Sequence, residues 1–590
     1  MSPQLNQWLK ERTASPMQRQ LMVISGDQQW CIAEAKDIAG RLGLDNYLWV
    51  SNGQPEAIQA NQANQANQAN QFRQHLGREY KAVVYNCFDG LRASALAALS
   101  GTVKQTGLMI LLTPELAVWP EYQDPQKPQR ISYGFLDKAT HSYFVDWLVN
   151  QIQTDPHVVH YSAQGLKGIN VSLATVTPFS HHSCKSAEQV QAVDAIRNVI
   201  RQSSPSPLVL TADRGRGKSS ALGIAAASLI DEGKHILLCA PIVAAVEQVF
   251  IRALALLPNH QRSRLELSSG VGKLFFQPID RILLEKPEAD ILLVDEAAAL
   301  PAPLLQKLCE HYPRIVFSTT IHGYEGSGRG FEIRFKQYIQ KHYSHFKQQH
   351  LNQPIRWQSG DPLERFWFEA LLMTDSGFSK ANLSAGELTT LSLTGELLKQ
   401  HKALLHQAFE LMINAHYQTT PDDLVRIFDA PDQHLHLLLE DGQVIAAAQI
   451  NLEGSKALEE LANDIVEGKR RVKGHLLPQR LGFVFKHTEP ITLRYWRIVR
   501  IAVQPERQQQ GLGSLLLAKI ETDAKSQEID FLGSSFAASE DVLAFWKKAQ
   551  YQLVYQGTKK DASSGEVSAL VLKSLSAEAA LKLKQLKRCH

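Results

Sequence analysis

The strongest constraint on the fold is a glycine-rich segment, ADRGRGKS at 212–219, which lies between an apolar run and a helical pattern. The apolar residues at 208–211 predict a buried strand, and SALGIAAASLI after the loop predicts a helix. In such a strand–loop–helix unit, Gly215 and Gly217 let backbone N–H groups turn toward a phosphate at the helix N-terminus. The segment therefore predicts a nucleotide site in a parallel α/β sheet.

The residue types around this loop suit a nucleoside triphosphate and its cation. Lys218 would reach the β- and γ-phosphates, and the Ser219 hydroxyl would bind Mg²⁺. Asp295 and Glu296 follow an apolar run at the end of a second predicted strand. We expect Asp295 to bind Mg²⁺ and Glu296 to orient the attacking water. Ala212 replaces the first glycine of the usual GxxxxGK[ST] pattern, at a turn position that does not itself bind phosphate.

Other segments resemble those of helicase-type ATPases. Gln189 lies upstream of the loop, where such enzymes often have an adenine-reading glutamine, although a solvated helix residue is an equal alternative. The Ser-Thr-Thr sequence at 318–320 resembles the motif that couples hydrolysis to nucleic-acid movement. Arg329 and Arg334, in the glycine-rich segment HGYEGSGRGFEIR, could contact phosphate or RNA, or form salt bridges.

A second glycine-rich loop, QQQGLG at 508–513, matches the [QR]xxGx[GA] loop of the GNAT acetyltransferases. It follows a predicted strand at 497–503, and a helix is predicted to begin near Ser514. Its backbone would wrap the pyrophosphate of coenzyme A at the helix N-terminus. Residues 501–503 would supply main-chain groups for the pantetheine arm and an N–H for the oxyanion. The segment LAFWKKAQYQLV at 543–554 resembles the helix and strand that close a GNAT site.

Length and composition set broad limits. The chain has 590 residues, which is too many for one hydrophobic core, and its net charge of +3 neither requires nor excludes a nucleic-acid partner. The six cysteines form no CxxC pair, so we expect neither a zinc site nor disulfides, and a reducing cytoplasm. There is no apolar run of about 18 residues and no signal-peptide pattern, so we expect a soluble intracellular protein.

Strand-like runs alternate with helical patterns along most of the chain and predict an α/β multidomain protein. In the first part, these runs lie at 20–25, 46–51, 82–88 and 108–114. The three-residue repeat QAN between 58 and 72 predicts a surface loop. The expected divisions are an α/β domain at 1–175, a P-loop ATPase domain at 176–395, a GNAT domain at 396–573 and a short basic tail at 574–590.

The motifs occur in an order that resembles the RNA cytidine acetyltransferase family, over about residues 1–575. The segments that carry the resemblance are TADRGRGKSS, LLVDEAAALPAPLL, FSTTIHGYEGSGRGFEIRF, QPIRW, AHYQTTPDDLVRIFDAPDQHL, RIAVQPERQQQGLG and SSGEVSALVL. The resemblance implies an N-terminal α/β domain, a RecA-like helicase module and a GNAT domain. It also implies N4-acetylcytidine formation at the wobble position of elongator tRNA(Met), with acetyl-CoA, ATP and Mg²⁺.

The same resemblance assigns expected ligand contacts. For ATP these are Gln189, Thr211, Ala212, Asp213, Arg214, Gly215, Arg216, Gly217, Lys218, Ser219, Ser220 and Arg356. For acetyl-CoA they are Ile501, Ala502, Val503, Gln508, Gln509, Gln510, Gly511, Leu512, Gly513, Ser514, Asp541 and Lys548. The family pattern has Glu and Arg at the last two positions. Bacterial members also continue into a C-terminal tRNA-binding domain, whereas only a short tail follows here.

Candidates for the general base and for RNA contacts are less specific. His416 and Tyr417 could serve as a base by residue type, or could have a packing role. The basic residues Lys469, Arg470, Arg471 and Lys473 could contact RNA phosphates, as could the basic tail, or they could be solvated charges.

A stacked anticodon base must be splayed out before it can be acetylated, and we expect the ATPase module to remodel the RNA for this purpose. Two other functions fit the motifs. One is an N-acetyltransferase for proteins or small molecules. The other is an RNA-remodelling ATPase that senses acetyl-CoA.

Overall fold

A computed structural model gives the fold as three β-sheets with helices packed on them. It describes residues 3–44, 46–51, 72, 74–175, 179, 181, 183–202, 206–257, 260–320, 335–343, 346–374, 376, 386–415, 419–560 and 566–588. The QAN repeat lies outside the described residues. No helix in the described ranges is long and apolar enough to cross a membrane.

The first sheet has six strands in the order β2-β3-β4-β1-β5-β6. The strands are β1 Gln20–Ser25, β2 Tyr47–Val50, β3 Tyr80–Asn86, β4 Val103–Thr113, β5 Val159–Ser162 and β6 Gly165–Lys167. The helices around it are Pro3–Ala14, Gln28–Arg41, Ala93–Ser100 and Tyr143–Thr154. All pairings are parallel except β5 with β6. The apolar runs become strands that helices cover on both faces, as the sequence predicts.

The second sheet has eight strands in the order β14-β7-β13-β12-β8-β11-β10-β9. They are β7 Leu208–Ala212, β8 His235–Cys239, β9 Gln261–Arg262, β10 Glu266–Ser269, β11 Gly272–Phe276, β12 Ile291–Val294, β13 Ile315–Thr320 and β14 Lys347–Leu351. The helices are Ala187–Arg201, Lys218–Asp231, Val243–Leu254, Ile279–Glu285, Ala302–His311 and Lys336–His342. Because β7, β13 and β12 are parallel neighbours, the segments that follow them meet at one edge of the sheet.

The third sheet has seven strands in the order β15-β16-β17-β18-β19-β21-β20. They are β15 Leu388–Leu393, β16 Gln433–Glu440, β17 Gln443–Gly454, β18 Arg494–Val503, β19 Phe531–Ala537, β20 Gln552–Lys560 and β21 Val567–Ser574. The longer helices around it are Lys402–Ala415, Pro421–Asp429, Leu476–Phe485, Leu512–Ser526, Glu540–Lys548 and Ala577–Arg588. The shorter ones are Glu396–Gln400, Ala462–Val466 and Glu489–Thr492. Asp441 and Gly442 have φ of 48° and 77° and close the β16–β17 hairpin.

The first and third sheets share one continuous hydrophobic core. Phe428, from the helix Pro421–Asp429, lies 6.1 Å from Phe144 and 6.0 Å from Trp147 between ring centroids. The helix Pro362–Ala370 enters the same core with Phe366 and Trp367, although the chain reaches it directly after the second sheet. This helix therefore joins the second sheet to the body formed by the other two.

The basic tail forms the helix Ala577–Arg588 and packs on the third sheet. Ala579, Leu583 and Leu586 are buried against β18, β19 and β21. Lys582 lies 2.9 Å from Glu578 and 3.8 Å from Glu489, so acidic residues partly compensate its charge.

Candidate active sites

The loop after β7 has the curvature of a phosphate-binding loop. Gly215 and Gly217 have φ of 78° and 86°, in the left-handed region that favours glycine. An ideal Cβ on Gly217 would lie 2.4 Å from Cδ1 of Ile355, and one on Gly215 would lie 2.6 Å from the ring of Trp357. Both glycines are therefore required by the backbone and by packing, and Lys218 begins the helix that follows.

The segment 352–357 is the outer wall of this loop. The Ile355 N–H donates to the Gly215 carbonyl at 2.9 Å, and Arg216 donates to the Asn352 carbonyl at 3.0 Å. Arg216 also pairs with Glu364 and is buried, so its contacts hold the loop in place. Arg356 faces Glu79 at 3.4 Å, and burial, followed by the charge of Arg214, lowers the pKa of Arg356.

Lys218, Asp295 and Glu296 meet at the edge of the second sheet, next to β13. The Lys218 ammonium donates to the Thr320 hydroxyl at 2.9 Å, and Thr320 in turn lies 3.3 Å from Glu296. Burial lowers the pKa of Lys218, and the charges of Glu296 and Asp295 oppose that effect. The Ser318 hydroxyl donates to Oδ1 of Asp295 at 2.9 Å.

Asp295 has the features expected of a cation ligand. The side chain is fully buried, and its Oδ2 has no hydrogen-bond partner within the described ranges. Burial and the adjacent charge of Glu296 raise the pKa of Asp295 to about 6. A buried carboxylate oxygen without a donor fits a divalent cation, and Ser219 lies in the first turn of the neighbouring helix.

Gln189 contacts the loop directly. Its Oε1 accepts the Lys185 N–H at 2.8 Å, and its Nε2 donates to the Gly217 carbonyl at 3.2 Å. The side chain is fully buried, which differs from the solvated helix residue that was the alternative. In this structure, Gln189 supports the phosphate loop, and its contact with adenine stays a prediction.

The third sheet opens between two neighbouring strands. β18 and β19 pair only through 495–497 and 531–533 and then diverge, although each continues for four or more residues. The register of β17 and β18 shifts between Gln449 and Ile450, which makes Val499 an extra residue on β18. Residues 501–503 still pair with β17 on one side, and on the other side their backbone faces a wedge instead of a paired strand. Such a wedge can hold an extended pantetheine arm.

The predicted coenzyme A loop follows this wedge. Gln509 and Gly511 have φ of 62° and 82°, and Gly511 caps the helix Leu512–Ser526. A Cβ on Gly511 would meet nothing within 4 Å, so positive φ, and not crowding, is what favours glycine at this position. Gln508 is held by its Nε2, which donates to the Val503 carbonyl at 3.2 Å.

The closing helix contacts the loop through a residue that sequence reasoning missed. An ideal Cβ on Gly513 would lie 3.3 Å from the ring of Phe545, in the helix Glu540–Lys548. Asp541 and Lys548 are exposed in the first and last turns of that helix, and their contact with acetyl-CoA stays a prediction. Phe545 lies within the segment at 543–554 that resembles the closing helix and strand, but its residue type alone indicated only a core position.

A polar chain lines the face of the third sheet that lies beneath the helix Pro421–Asp429. Arg500 on β18 donates to Gln449 at 2.9 Å and to Asp423 at 3.2 Å. Gln449 donates to Gln433 at 2.6 Å, and Gln433 donates to Asn451. Burying an amide side chain is costly unless it is hydrogen-bonded, and here the hydrogen-bonded amides position Arg500 beside the wedge.

The remaining candidates divide into exposed and undescribed residues. Lys469, Arg470, Arg471 and Lys473 are all exposed, which suits contact with RNA. Lys469 also pairs with Glu467 at 2.6 Å. The candidate bases His416 and Tyr417, and the arginines at 329 and 334, lie outside the described residues.

Comparison with protein families gives three matches along the chain. Residues 1–163 match the family described as "tRNA(Met) cytidine acetyltransferase TmcA, N-terminal". Residues 209–374 match "RNA cytidine acetyltransferase NAT10/TcmA, helicase domain". Residues 407–522 and 515–576 match "GNAT acetyltransferase 2". The three matches occur in the order of the three sheets.

Curated relatives are similar over nearly the whole chain. The tRNA(Met) cytidine acetyltransferase TmcA of Nitrosococcus halophilus is 37% identical over 571 residues, which cover 95% of this chain and 76% of the relative. The Vibrio cholerae protein of the same name is 35% identical, with 85% and 67% covered. That of Citrobacter koseri is 32% identical, with 97% and 79% covered.

Proposed function

This chain belongs to the tRNA(Met) cytidine acetyltransferase family, and from that membership we propose that it forms N4-acetylcytidine at the wobble position of elongator tRNA(Met). Acetyl-CoA is the acetyl donor, and ATP hydrolysis accompanies the transfer. The observation that carries the proposal is the presence, in one chain, of a phosphate loop facing buried carboxylates and of a wedge between β18 and β19 followed by a glycine-rich loop.

The acetyl transfer needs tight positioning, because the exocyclic amine of cytosine is a poor nucleophile. The thioester would lie in the wedge beside Val499, where a backbone N–H among residues 501–503, on the side of β18 turned away from β17, would stabilise the oxyanion. The cytosine would approach from the side of Arg500, which Asp423 and Gln449 hold in place. His416 is the proposed base, from its residue type and its segment.

The ATPase chemistry would use the group around Lys218. The residues at this edge of the sheet would hold Mg²⁺, which would supply positive charge against the negative charge that develops on the phosphates. Oδ2 of Asp295 and the Ser219 hydroxyl fit as its ligands, since the former is buried without a donor. Lys218 would exchange its bond to Thr320 for a phosphate oxygen, and Glu296 would then orient water.

Coupling between the two reactions has a physical route. Arg216 of the phosphate loop pairs with Glu364, which lies on the helix Pro362–Ala370. That helix is buried in the core shared by the first and third sheets. We propose that a change in the loop on ATP turnover moves this helix, and that the movement remodels bound tRNA for acetylation.

The test is nucleoside mass spectrometry on tRNA(Met) incubated with acetyl-CoA, with and without ATP. We expect N4-acetylcytidine only with ATP, and a loss of at least a hundredfold for Lys218→Ala, because one preorganised charge contact typically contributes that much. Lys307→Ala is the matched control, because Lys307 is an exposed lysine on the helix Ala302–His311, which packs on the same sheet. ATP-independent acetylation by Lys218→Ala would contradict the coupling, and the absence of any acetylcytidine would contradict the function itself.

A cytoplasmic location is part of the proposal. The five described cysteines are free and buried, which suits a reducing compartment.

A further inference from the structure

The turn at residues 132–135, in the first-sheet unit, presents one aromatic ring to solvent. The Phe135 N–H donates to the Ser132 carbonyl at 3.2 Å, and Gly134 has a φ of 79°, so Tyr133 occupies the first corner of a tight turn. The Tyr133 side chain is 40% exposed, whereas Ser132 is buried. Within the described ranges, the Tyr133 side chain has no hydrogen-bond, ring or cation–π partner.

The backbone that carries this ring is fixed to the third-sheet unit. The Tyr133 N–H donates to the Lys473 carbonyl at 3.1 Å, and Nε2 of His475 donates to the Tyr133 carbonyl at 2.9 Å. The Ser132 hydroxyl donates to Asp432 at 2.6 Å. Because both backbone groups of Tyr133 are held while its ring stays outside, a ligand that contacts the ring has little conformational freedom to remove.

The surroundings of the ring combine aromatic and cationic side chains. The Phe135 and His475 rings are stacked with their centroids 6.3 Å apart, and Nζ of Lys138 lies 5.6 Å from the centroid of the Phe135 ring. The exposed arginines at 470–471 lie just before the turn that holds Tyr133. An exposed ring among cations is the arrangement by which proteins stack unpaired bases and attract the phosphates between them.

The turn lies at the acceptor side of the third sheet. Gly454, at the end of β17, donates its N–H to Nδ1 of His475 at 2.9 Å, and Asp432 follows the helix Pro421–Asp429 that covers the acceptor face. The wedge begins at Val499, five residues after the start of β18, which corresponds to roughly 17 Å along the strand. A few nucleotides of a single-stranded loop therefore reach from the turn to the proposed position of the cytidine.

We propose that the Tyr133 ring is a stacking platform for an unpaired base of the RNA substrate, close to the cytidine that is acetylated. This inference rests on the proposed function for the identity of the RNA. Stacking uses the face of a base, so the platform accepts any of the four bases. A base that stacks on the protein no longer stacks on its neighbour in the loop, so the platform also stabilises the splayed state that acetylation needs.

The experiment measures binding of unmodified tRNA(Met) to the full chain at several salt concentrations, without acetyl-CoA. For Tyr133→Ala we expect roughly tenfold weaker binding, the effect of losing one stacked base. The slope of log affinity against log salt should be unchanged, because stacking releases no counterions. Tyr133→Phe keeps the ring and should bind like wild type. Ile169→Ala is the matched control, because Ile169 is an exposed apolar residue beyond the edge strand β6 of the same sheet.

A fully paired RNA duplex is the second ligand, and it should bind wild type and Tyr133→Ala equally, because paired bases are not available for stacking. Equal affinity of Tyr133→Ala and Ile169→Ala for tRNA would overturn the proposal. An equal loss for Tyr133→Phe and Tyr133→Ala would overturn it as well, since the hydroxyl would then make the contact. The same holds for an equal loss with the duplex, which would indicate a general change of the RNA-binding surface.

Folding of the variants is checked by thermal unfolding, and the Tm of Tyr133→Ala should match that of wild type because the ring is exposed. Tyr133→Leu, which keeps apolar bulk without a π-face, should lose tRNA affinity like Tyr133→Ala, and wild-type affinity in this variant would contradict stacking. Binding is measured apart from acetylation, so failure of the proposed function is seen separately, as wild type that binds tRNA without modifying it.

Discussion

The buried carboxyl of Asp295 should cost the ligand-free protein stability. Its pKa rises from 3.8 to about 6, a difference of about two units. At about 1.36 kcal/mol per unit, the ionised form is disfavoured by about 3 kcal/mol. Asp295→Asn is an uncharged stand-in for the protonated acid and can still accept from the Ser318 hydroxyl. We therefore expect the variant to be more stable at pH 8 by up to about 3 kcal/mol.

The pH dependence of the stability difference shows whether the ionisation of Asp295 causes it. Between about pH 4 and pH 6, the unfolded chain has lost the Asp295 proton while the folded chain keeps it, so wild-type stability falls as pH rises. The advantage of Asp295→Asn should be full above about pH 6 and absent near pH 4. Calorimetry in EDTA measures this stability difference, as a shift in Tm of roughly 2–4 °C per kcal/mol for a domain of the size that contains the second sheet.

The same variant should lose ATP hydrolysis, because the proposed cation ligand is gone. Ser318→Ala is a useful comparison, since it removes a donor to Asp295 and should further raise the pKa of that carboxyl. The reasoning would be refuted if Asp295→Asn were less stable than wild type at pH 8. An equal stability difference at pH 4 and pH 8 would refute it as well, since the effect would then not be electrostatic.

Two further variants test packing around the sites. Gly513→Val would crowd Phe545, since even a Cβ lies 3.3 Å from the ring, and should raise the KM for acetyl-CoA about tenfold while ATPase activity is unchanged. Arg19→Met would leave Asp361 buried without its 2.8 Å partner and should destabilise the protein by about 3–5 kcal/mol in denaturant titrations. Adding Asp361→Asn should restore most of that loss, and a loss unchanged in the double variant would contradict the ion-pair account.

The local parts of both sites could be predicted from the sequence because they depend on neighbours in the chain. The strand, glycine and helix patterns around 208–219 and 497–513 correctly predicted the two loops, since glycine conformation and helix capping are local effects. The Asp-Gly pair at 441–442, which closes the β16–β17 hairpin with two positive φ values, is a local turn signal of the same kind.

Contacts between distant segments could not be predicted. Arg19 and Asp361 form a buried ion pair across 342 residues, and the Arg19 guanidinium lies 3.3 Å from the centroid of the Trp357 ring. The residue pattern of a single segment does not show which distant residue will pair with it. The packing partner of the helix Pro362–Ala370 could not be predicted either. Its amphipathic pattern shows that one face is buried but not which sheet covers it.

The core shared by the first and third sheets limits how this protein can be dissected. A fragment containing only the acetyltransferase sheet would expose Phe428, Leu424 and Phe409, which the intact chain buries completely. Such a fragment would carry a large apolar patch and would be expected to aggregate. The acetyltransferase therefore cannot be treated as a detachable module. Changing its substrate by domain exchange would require the first sheet and the helix Pro362–Ala370 to be transferred with it.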